Sequence, residues 1–84
     1  MAITGNQVRA ARSLVGMGQQ ELAEAAKIGI NTVRNMESAG DDRIRVRTDT
    51  IDAVTDALRA AGVAFVNEGM HDGGLGVRLI KKGD

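Results

Sequence analysis

The sequence contains no cysteine and only one histidine, His71. Without cysteine the chain forms no disulfide, no thiolate zinc site and no cysteine nucleophile, and it suits a reducing compartment. A single histidine is too few for a histidine-rich metal site. We therefore expect no bound metal and no cofactor.

Long hydrophobic runs are also absent. No segment reaches the roughly 20 apolar residues of a membrane-spanning helix, and the first residues lack the basic-then-apolar layout of a signal peptide. The chain has 84 residues, of which 43% are hydrophobic, which is enough for one small globular domain but not for a deep catalytic cavity. We expect a soluble cytoplasmic protein.

Neither sign of charge is in excess, because 11 Lys and Arg residues balance 11 Asp and Glu residues. The distribution is uneven: residues 1–47 carry seven basic and five acidic residues, and residues 48–84 carry four basic and six acidic residues. Binding depends on local potential, so a neutral chain can still present a basic face. The net charge neither predicts nor excludes a nucleic-acid partner.

The first helix is predicted from its capping residues. Thr4 and Gln7 form a capping-box pattern, apolar residues then recur at helical spacing, and Gly16 supplies a left-handed stop. The second helix begins near Gly18, with an apolar face of small and medium side chains: Leu22, Ala23 and Ala26.

A short break over residues 27–29 separates the second helix from a third, which spans about 30–37 and holds Val33 and Met36. Residues 39–42 have loop composition. Residues 43–47 alternate arginine with apolar residues, which is compatible with either an extended segment or a tight turn. Thr48 is predicted to cap a fourth helix that ends at Gly62.

The pattern changes after the fourth helix. Residues 63–66 and 77–80 are short apolar runs with alternation, bounded by glycines, and they predict a two-stranded antiparallel hairpin. The glycine-rich stretch 67–76 predicts a mobile loop that is too long for a tight turn. A phosphate cradle is the alternative, but the stretch lacks a P-loop lysine and a following helix.

The second and third helices form a recognisable unit. The run QQELA at residues 19–23, followed by TVRNME at residues 32–37, resembles the Cro and phage-repressor family of helix-turn-helix proteins, the XRE family. The similarity covers residues 7–61. It implies a mainly α, lambda-repressor-like bundle of four helices over residues 1–62, with residues 63–84 as a hairpin extension and possible dimerisation element.

The resemblance also implies residue roles. Gln19 would contact a DNA phosphate with its side chain or its backbone amide. Arg12 and Glu37 would form a structural pair between the first helix and the end of the recognition helix. Lys27 stands where family members usually have glycine in left-handed backbone. The recognition surface and the phosphate contacts would consist of Ile30, Asn31, Thr32, Arg34, Asn35, Arg43, Arg45 and Arg47.

Each role has a simpler alternative. Arg34 suits a guanine edge but is otherwise a solvated arginine, and Asn31 and Asn35 could read adenine or contact only phosphate and water. Ile30 could pack on a thymine methyl group or cover the core. The three arginines after the motif could bind phosphates or form an ordinary charged loop.

The expected function is that of a sequence-specific, repressor-like DNA-binding regulator acting as a homodimer, since one such unit reads only a few base pairs. The hairpin or the last helix could form the dimer contact. The alternative is a protein-interaction module on the same fold, such as an antitoxin or an antagonist of another regulator. We do not expect an enzyme, because no nucleophile has a matching base.

Overall fold

Four helices precede a two-stranded antiparallel hairpin in the computed structural model, which describes residues 2–67 and 74–80. The elements are α1 (Gly5–Leu14), α2 (Gln19–Ala26), α3 (Ile30–Glu37), α4 (Thr48–Ala61), β1 (Val63–Val66) and β2 (Gly76–Leu79). The expectation of a mainly helical chain with a C-terminal hairpin is confirmed. No helix in this part of the chain is long and apolar enough to cross a membrane.

Helix α1 begins at the predicted capping box. The Thr4 hydroxyl accepts a hydrogen bond from the Gln7 backbone N–H at 3.1 Å, and Gln7 Oε1 accepts one from the Thr4 N–H at 2.9 Å. Two backbone donors that the helix leaves unpaired are satisfied in this way. After the helix ends, Gly16 adopts a φ of 66°, as the sequence predicted.

Helices α2 and α3 are joined by a three-residue turn. Lys27, the first residue of this turn, has left-handed backbone with φ 59° and ψ 45°, and the Ile28 N–H donates to the carbonyl oxygen of Ala23 at 2.9 Å. Left-handed backbone is disfavoured for a residue with a Cβ atom. The packing of α2 on α3 therefore holds a lysine in a conformation that glycine adopts more easily.

The predicted cap of α4 was wrong by one residue. Thr48 is the first residue of the helix, and the capping position belongs to Arg47, whose side chain makes no capping bond. The reason is that the N–H groups of Thr50 and Ile51 both donate to the carbonyl oxygen of Arg47, each at 3.1 Å. The first turn thus closes on Arg47. Helix α4 ends at Gly62, which has a φ of 113°.

The hairpin pairs Val63 with Leu79 and Val66 with Gly76, so β2 begins and ends one residue earlier than predicted. The buried side chain of Gln7 joins α1 to this hairpin. Its Nε2 donates to the carbonyl oxygens of Val66 at 3.2 Å and Gly76 at 3.1 Å. The glycine-rich stretch and His71 lie largely outside the described residues, which resume at 74.

The core draws on every element except β2, whose Val77 packs against its edge. Helix α2 packs on α3 and α4, and α1 packs on α3 and both strands. Leu14, an apolar residue at the end of α1, is 40% exposed. The buried apolar residues are Ile3, Val8, Ala11, Leu22, Ala23, Ala26, Val33, Met36, Ile44, Ile51, Val54, Leu58, Val63 and Phe65.

The chain segment before α1 is paired with the segment after α3. The Ile44 N–H donates to the carbonyl oxygen of Ile3 at 2.9 Å, and Thr4 and Arg43 form an isolated antiparallel bridge. The alternating pattern allowed either an extended segment or a tight turn over residues 43–47. The backbone is extended at Arg43, where the bridge forms.

Candidate functional site

The outward face of α3 is polar and open. Asn31, Arg34 and Asn35 are exposed, whereas Val33 and Met36 on the opposite face are fully buried. Residues three and four apart share one face of a helix, so the three polar side chains lie together. The nearest contact among them is long, with Arg34 Nη1 at 3.4 Å from Asn31 Oδ1. These side chains are therefore available to a ligand.

Two residues of the predicted surface are less accessible. Ile30 is half-buried and packs against the core, which matches the simpler of its two predicted roles. Thr32 is also half-buried. Of the residues predicted on the recognition helix, Asn31, Arg34 and Asn35 are thus exposed, whereas Ile30 and Thr32 are half-buried.

The arginines after α3 point away from the core. Ile44 is buried and Val46 packs against the core, so the alternating arginines Arg43, Arg45 and Arg47 are exposed. Arg47 forms an ion pair with Asp49, with Nε–Oδ1 and Nη2–Oδ2 distances of 3.2 and 3.3 Å. Both side chains are largely exposed, so this pair adds little stability. The charge of Asp49 nonetheless offsets that of Arg47.

A groove of about 240 Å³ joins the face of α3 to this arginine segment. The groove is lined by Asn35, Ser38 and Ala39 and by residues 42–46. The structure therefore brings Asn35 of the predicted recognition set next to Arg43 and Arg45 of the predicted phosphate set. Asp42 contributes an acidic group to the same groove.

Gln19 is not part of this groove, and its side chain already has a partner. Its Nε2 donates to Glu37 Oε1 at 3.1 Å, and the residue is half-buried. The side chain thus ties the first residue of α2 to the last residue of α3. Of the two modes of phosphate contact expected for Gln19, the backbone amide is the one that leaves this bond intact.

Arg12 and Glu37 form a pair across the junction of α1 and α3. Arg12 Nε donates to Glu37 Oε2 at 2.5 Å and Nη2 donates to Oε1 at 2.8 Å, while Nη1 donates to the carbonyl oxygen of Met17 at 2.9 Å. The Glu37 side chain is only 3% exposed and that of Arg12 16%. This is a largely buried, bidentate pair with its hydrogen-bonding groups satisfied.

The surroundings of Glu37 determine its protonation. Burial of the carboxylate disfavours its charged form, but the hydrogen bonds from Arg12 and Gln19, together with the charges of Arg12 and Arg9, outweigh burial and lower the pKa of Glu37. The hydrogen bond to Glu37 raises the pKa of Arg12 in turn. At neutral pH the junction therefore holds a charged pair rather than two neutral groups.

Besides Arg12, two residues of α1 that touch the end of α3 were missed by the sequence prediction, namely Gly5 and Arg9. Gly5 lies against backbone atoms: a Cβ atom there would be 2.6 Å from the Met36 carbonyl oxygen and 2.7 Å from that of Glu37. Arg9 Nη2 donates to the Glu37 carbonyl oxygen at 3.2 Å. Glycine is a poor helix former, so its presence at the first position of α1 was the available signal.

No group of three or more His, Cys, Asp or Glu residues suited to a metal ion occurs within residues 2–67 and 74–80. Comparison of the chain with protein-family models and with curated proteins gave no match in either case.

Proposed function

We propose that this protein is a sequence-selective, double-stranded-DNA-binding transcriptional regulator with a lambda-repressor-like helix-turn-helix fold of the XRE kind. In this proposal α2 and α3 form the two helices of the unit, and α3 enters the major groove. One observation carries the proposal: an open surface runs from Asn31 and Arg34 on α3, through Asn35, to the exposed Arg43 and Arg45.

The chemistry of this surface matches base edges. The major groove is wide enough for one helix, and an arginine can donate to two acceptors of guanine, whereas asparagine can both donate to and accept from adenine. Arg34 is the base-reading arginine of the proposal, because it is exposed in the middle of the open face of α3. Asn31 and Asn35 flank it.

In this proposal Arg43 and Arg45, which line the groove beside α3, supply affinity for DNA rather than selectivity. Arg43 and Arg45 are exposed on the segment that follows α3 and are suited to phosphate oxygens. Phosphate contacts strengthen binding to any sequence and make it weaken with salt. The proposed surface thus combines a helix that contacts base edges with two neighbouring arginines that contact the DNA phosphates.

The distribution of charge is compatible with a polyanionic partner despite the zero net charge. The exposed aspartates Asp49, Asp52 and Asp56 belong to α4, which packs on α2. The exposed Arg43 and Arg45 line the groove beside α3, where the two arginines outnumber the one aspartate, Asp42. Local potential decides the orientation of an approaching charged ligand.

We further propose that the protein acts in the cytoplasm as a homodimer on DNA, because a single unit reads too few base pairs to define a site. Two half-sites about 34 Å apart would then be bound by two copies of α3. The half-site spacing of a selected site is a direct measurement of this part of the proposal.

A protein-interaction role is the second candidate, and exposed apolar side chains favour it. Leu75, Leu79 and Ile80 lie in or beside β2 and are 46%, 53% and 51% exposed. Strand edges with apolar side chains pair readily with other chains. A partner protein bound there could coexist with DNA bound to α3.

The experiment that tests the proposal is selection of sites from a pool of random double-stranded DNA, followed by binding of the selected site at several salt concentrations. The variants are Arg34→Ala and, as a control that removes the same charge from α4, Arg59→Ala. We expect wild type and Arg59→Ala to select a common sequence and Arg34→Ala to lose about tenfold or more of its preference for it.

Other outcomes discriminate between the candidates. If the folded wild type enriches no sequence and binds random DNA at no salt concentration, the DNA-binding proposal is wrong, and the protein-interaction role replaces it. If wild type, Arg34→Ala and Arg59→Ala all select the same sequence with equal preference, DNA is bound, but Arg34 does not read it and the proposed reading arginine is wrong.

A further inference from the structure

Residues 3–6 contact both the arginine segment and the chain just beyond the end of α3. Ile3 accepts the hydrogen bond from Ile44 at 2.9 Å, and Thr4 forms a bridge with Arg43. The Asn6 N–H donates to the carbonyl oxygen of Gly40 at 2.8 Å, just beyond α3. Residues 3–6, which we term the N-terminal brace, thus join the arginine segment to the end of α3.

Gly5 is the point of closest approach within the brace. A Cβ atom on Gly5 would be 2.6 Å from the Met36 carbonyl oxygen, 2.7 Å from that of Glu37 and 2.8 Å from the Gly40 nitrogen. All three are backbone atoms, so a side-chain rotation cannot relieve the contact. Any residue larger than glycine at this position must move the end of α3 relative to α1.

We propose that Gly5 is a positioning residue for DNA selectivity, although it lies outside the proposed contact surface. This inference rests on the proposed function. The brace is bonded to the arginine segment through Ile3 and Thr4, and Gly5 allows the same brace to lie directly against the end of α3. The position of α3 relative to Arg43 and Arg45 is then fixed.

Displacement of α3 affects the two kinds of DNA contact differently. The added Cβ atom pushes on Met36 and Glu37 in α3, whereas the pairing of Ile3 and Thr4 holds Ile44 and Arg43 in place. Base contacts are directional and short, so they are lost when a helix moves by a fraction of an ångström. Exposed arginines reach phosphates from many rotamers. Selectivity therefore falls more than affinity for random DNA.

The test compares affinity for the site selected by the wild type with affinity for random DNA, at a temperature where circular dichroism shows each variant folded. The ratio of the two affinities cancels the uniform contribution of phosphate contacts. We expect Gly5→Ala to lower this ratio by about tenfold, the loss of one good base contact. Val54→Ala, which removes buried volume from α4, destabilises the fold and leaves the ratio unchanged.

A second variant keeps the proposal testable if Gly5→Ala does not fold. Arg9→Met keeps the aliphatic stem of a 55% exposed arginine but removes two contacts with Glu37 at the same junction, the hydrogen bond to its carbonyl oxygen and the 3.8 Å ion pair with its carboxylate. We expect a smaller decrease of the ratio, in the same direction. Loss of folding in Gly5→Ala together with a decreased ratio in Arg9→Met supports the positioning role.

The outcomes separate this inference from the function on which it rests. If the wild type selects a sequence and every folded variant keeps the wild-type ratio, the inference is overturned and the proposed function stands. If Val54→Ala lowers the ratio as much as Gly5→Ala, general instability is the cause and the inference is also overturned. A wild type that selects no sequence overturns both.

Discussion

Arg12 of α1 and Glu37 of α3 face each other with two guanidinium nitrogens on two carboxylate oxygens, at the point where Gln19 of α2 donates to the same carboxylate. Three helices therefore meet at one buried acidic group. Because these helices include the pair proposed to hold DNA, the arrangement links the stability of the fold to the orientation of α3.

Loss of Arg12 should destabilise the fold strongly. Arg12→Ala leaves the carboxylate of Glu37 buried without its main partner, and breaking a buried pair in this way costs about 3 kcal/mol or more. Arg59→Ala is the control, because its side chain is 49% exposed and its ion pair with Asp56 at 3.7 Å lies on the surface. Thermal unfolding followed by circular dichroism measures both, and equal melting temperatures would contradict the prediction.

Acid should weaken the same junction. The pKa of Glu37 is lowered in the folded state, so its stabilising contribution is fully present above its unfolded pKa of about 4.3 and is lost as the pH falls through the folded value. We expect the free energy of unfolding to fall with decreasing pH below about 4.3 more steeply in wild type than in Glu37→Gln. Urea unfolding at a series of pH values measures this, and parallel pH profiles would show that Glu37 is not the group responsible.

The turn between α2 and α3 can be stabilised. Lys27 is exposed and has left-handed backbone, which costs a non-glycine residue about 1 kcal/mol. We expect Lys27→Gly to be more stable than Lys27→Ala by about this amount, since both variants lose the same charge and only one keeps a Cβ atom. Chemical denaturation compares the stability of the two variants. The opposite order would mean that the greater chain entropy of glycine in the unfolded state outweighs the strain that glycine removes from the left-handed backbone.

Gln7 should hold the hairpin to α1. Gln7→Ala removes one acceptor from the capping box and leaves the half-buried carbonyls of Val66 and Gly76 without this donor, a loss of about 1–3 kcal/mol. Thr4→Ala removes only the hydroxyl cap and costs about 1 kcal/mol. Amide hydrogen exchange should accelerate in β1 and β2 for Gln7→Ala but not for Thr4→Ala. The same exchange pattern in both variants argues against the link.

Local signals in the sequence predicted the helices well because each helix end is determined by nearby residues. Thr4 and Gln7 cap α1 within one turn, and Gly16 and Gly62 adopt the left-handed backbone that ends α1 and α4. The cap of α4 was missed because a threonine before an apolar stripe looks the same whether it precedes the helix or begins it. Only the bonds to the Arg47 carbonyl oxygen decide this.

The contacts between distant segments could not be predicted in this way. The spacing of residues does not indicate that Gly5 meets Met36, or that Ile3 pairs with Ile44, because both depend on how α1 and α3 pack. The Arg12–Glu37 pair was expected only from a family resemblance. The open face of α3 followed from helical periodicity, whereas its adjacency to Arg43 and Arg45 required the fold.

The hydrogen bonds of Gln7 also make α1 depend on a part of the chain that is synthesised much later. Its side-chain amide donates to the carbonyl oxygens of Val66 and Gly76, which lie 59 and 69 positions later in the chain, so α1 is synthesised before either acceptor. A nascent chain that stops before Gly76 contains the helices but leaves this donor without that carbonyl. A chain truncated before Gly76 therefore keeps the helices without one of their ties to the hairpin, and such a product is more open to local unfolding and proteolysis.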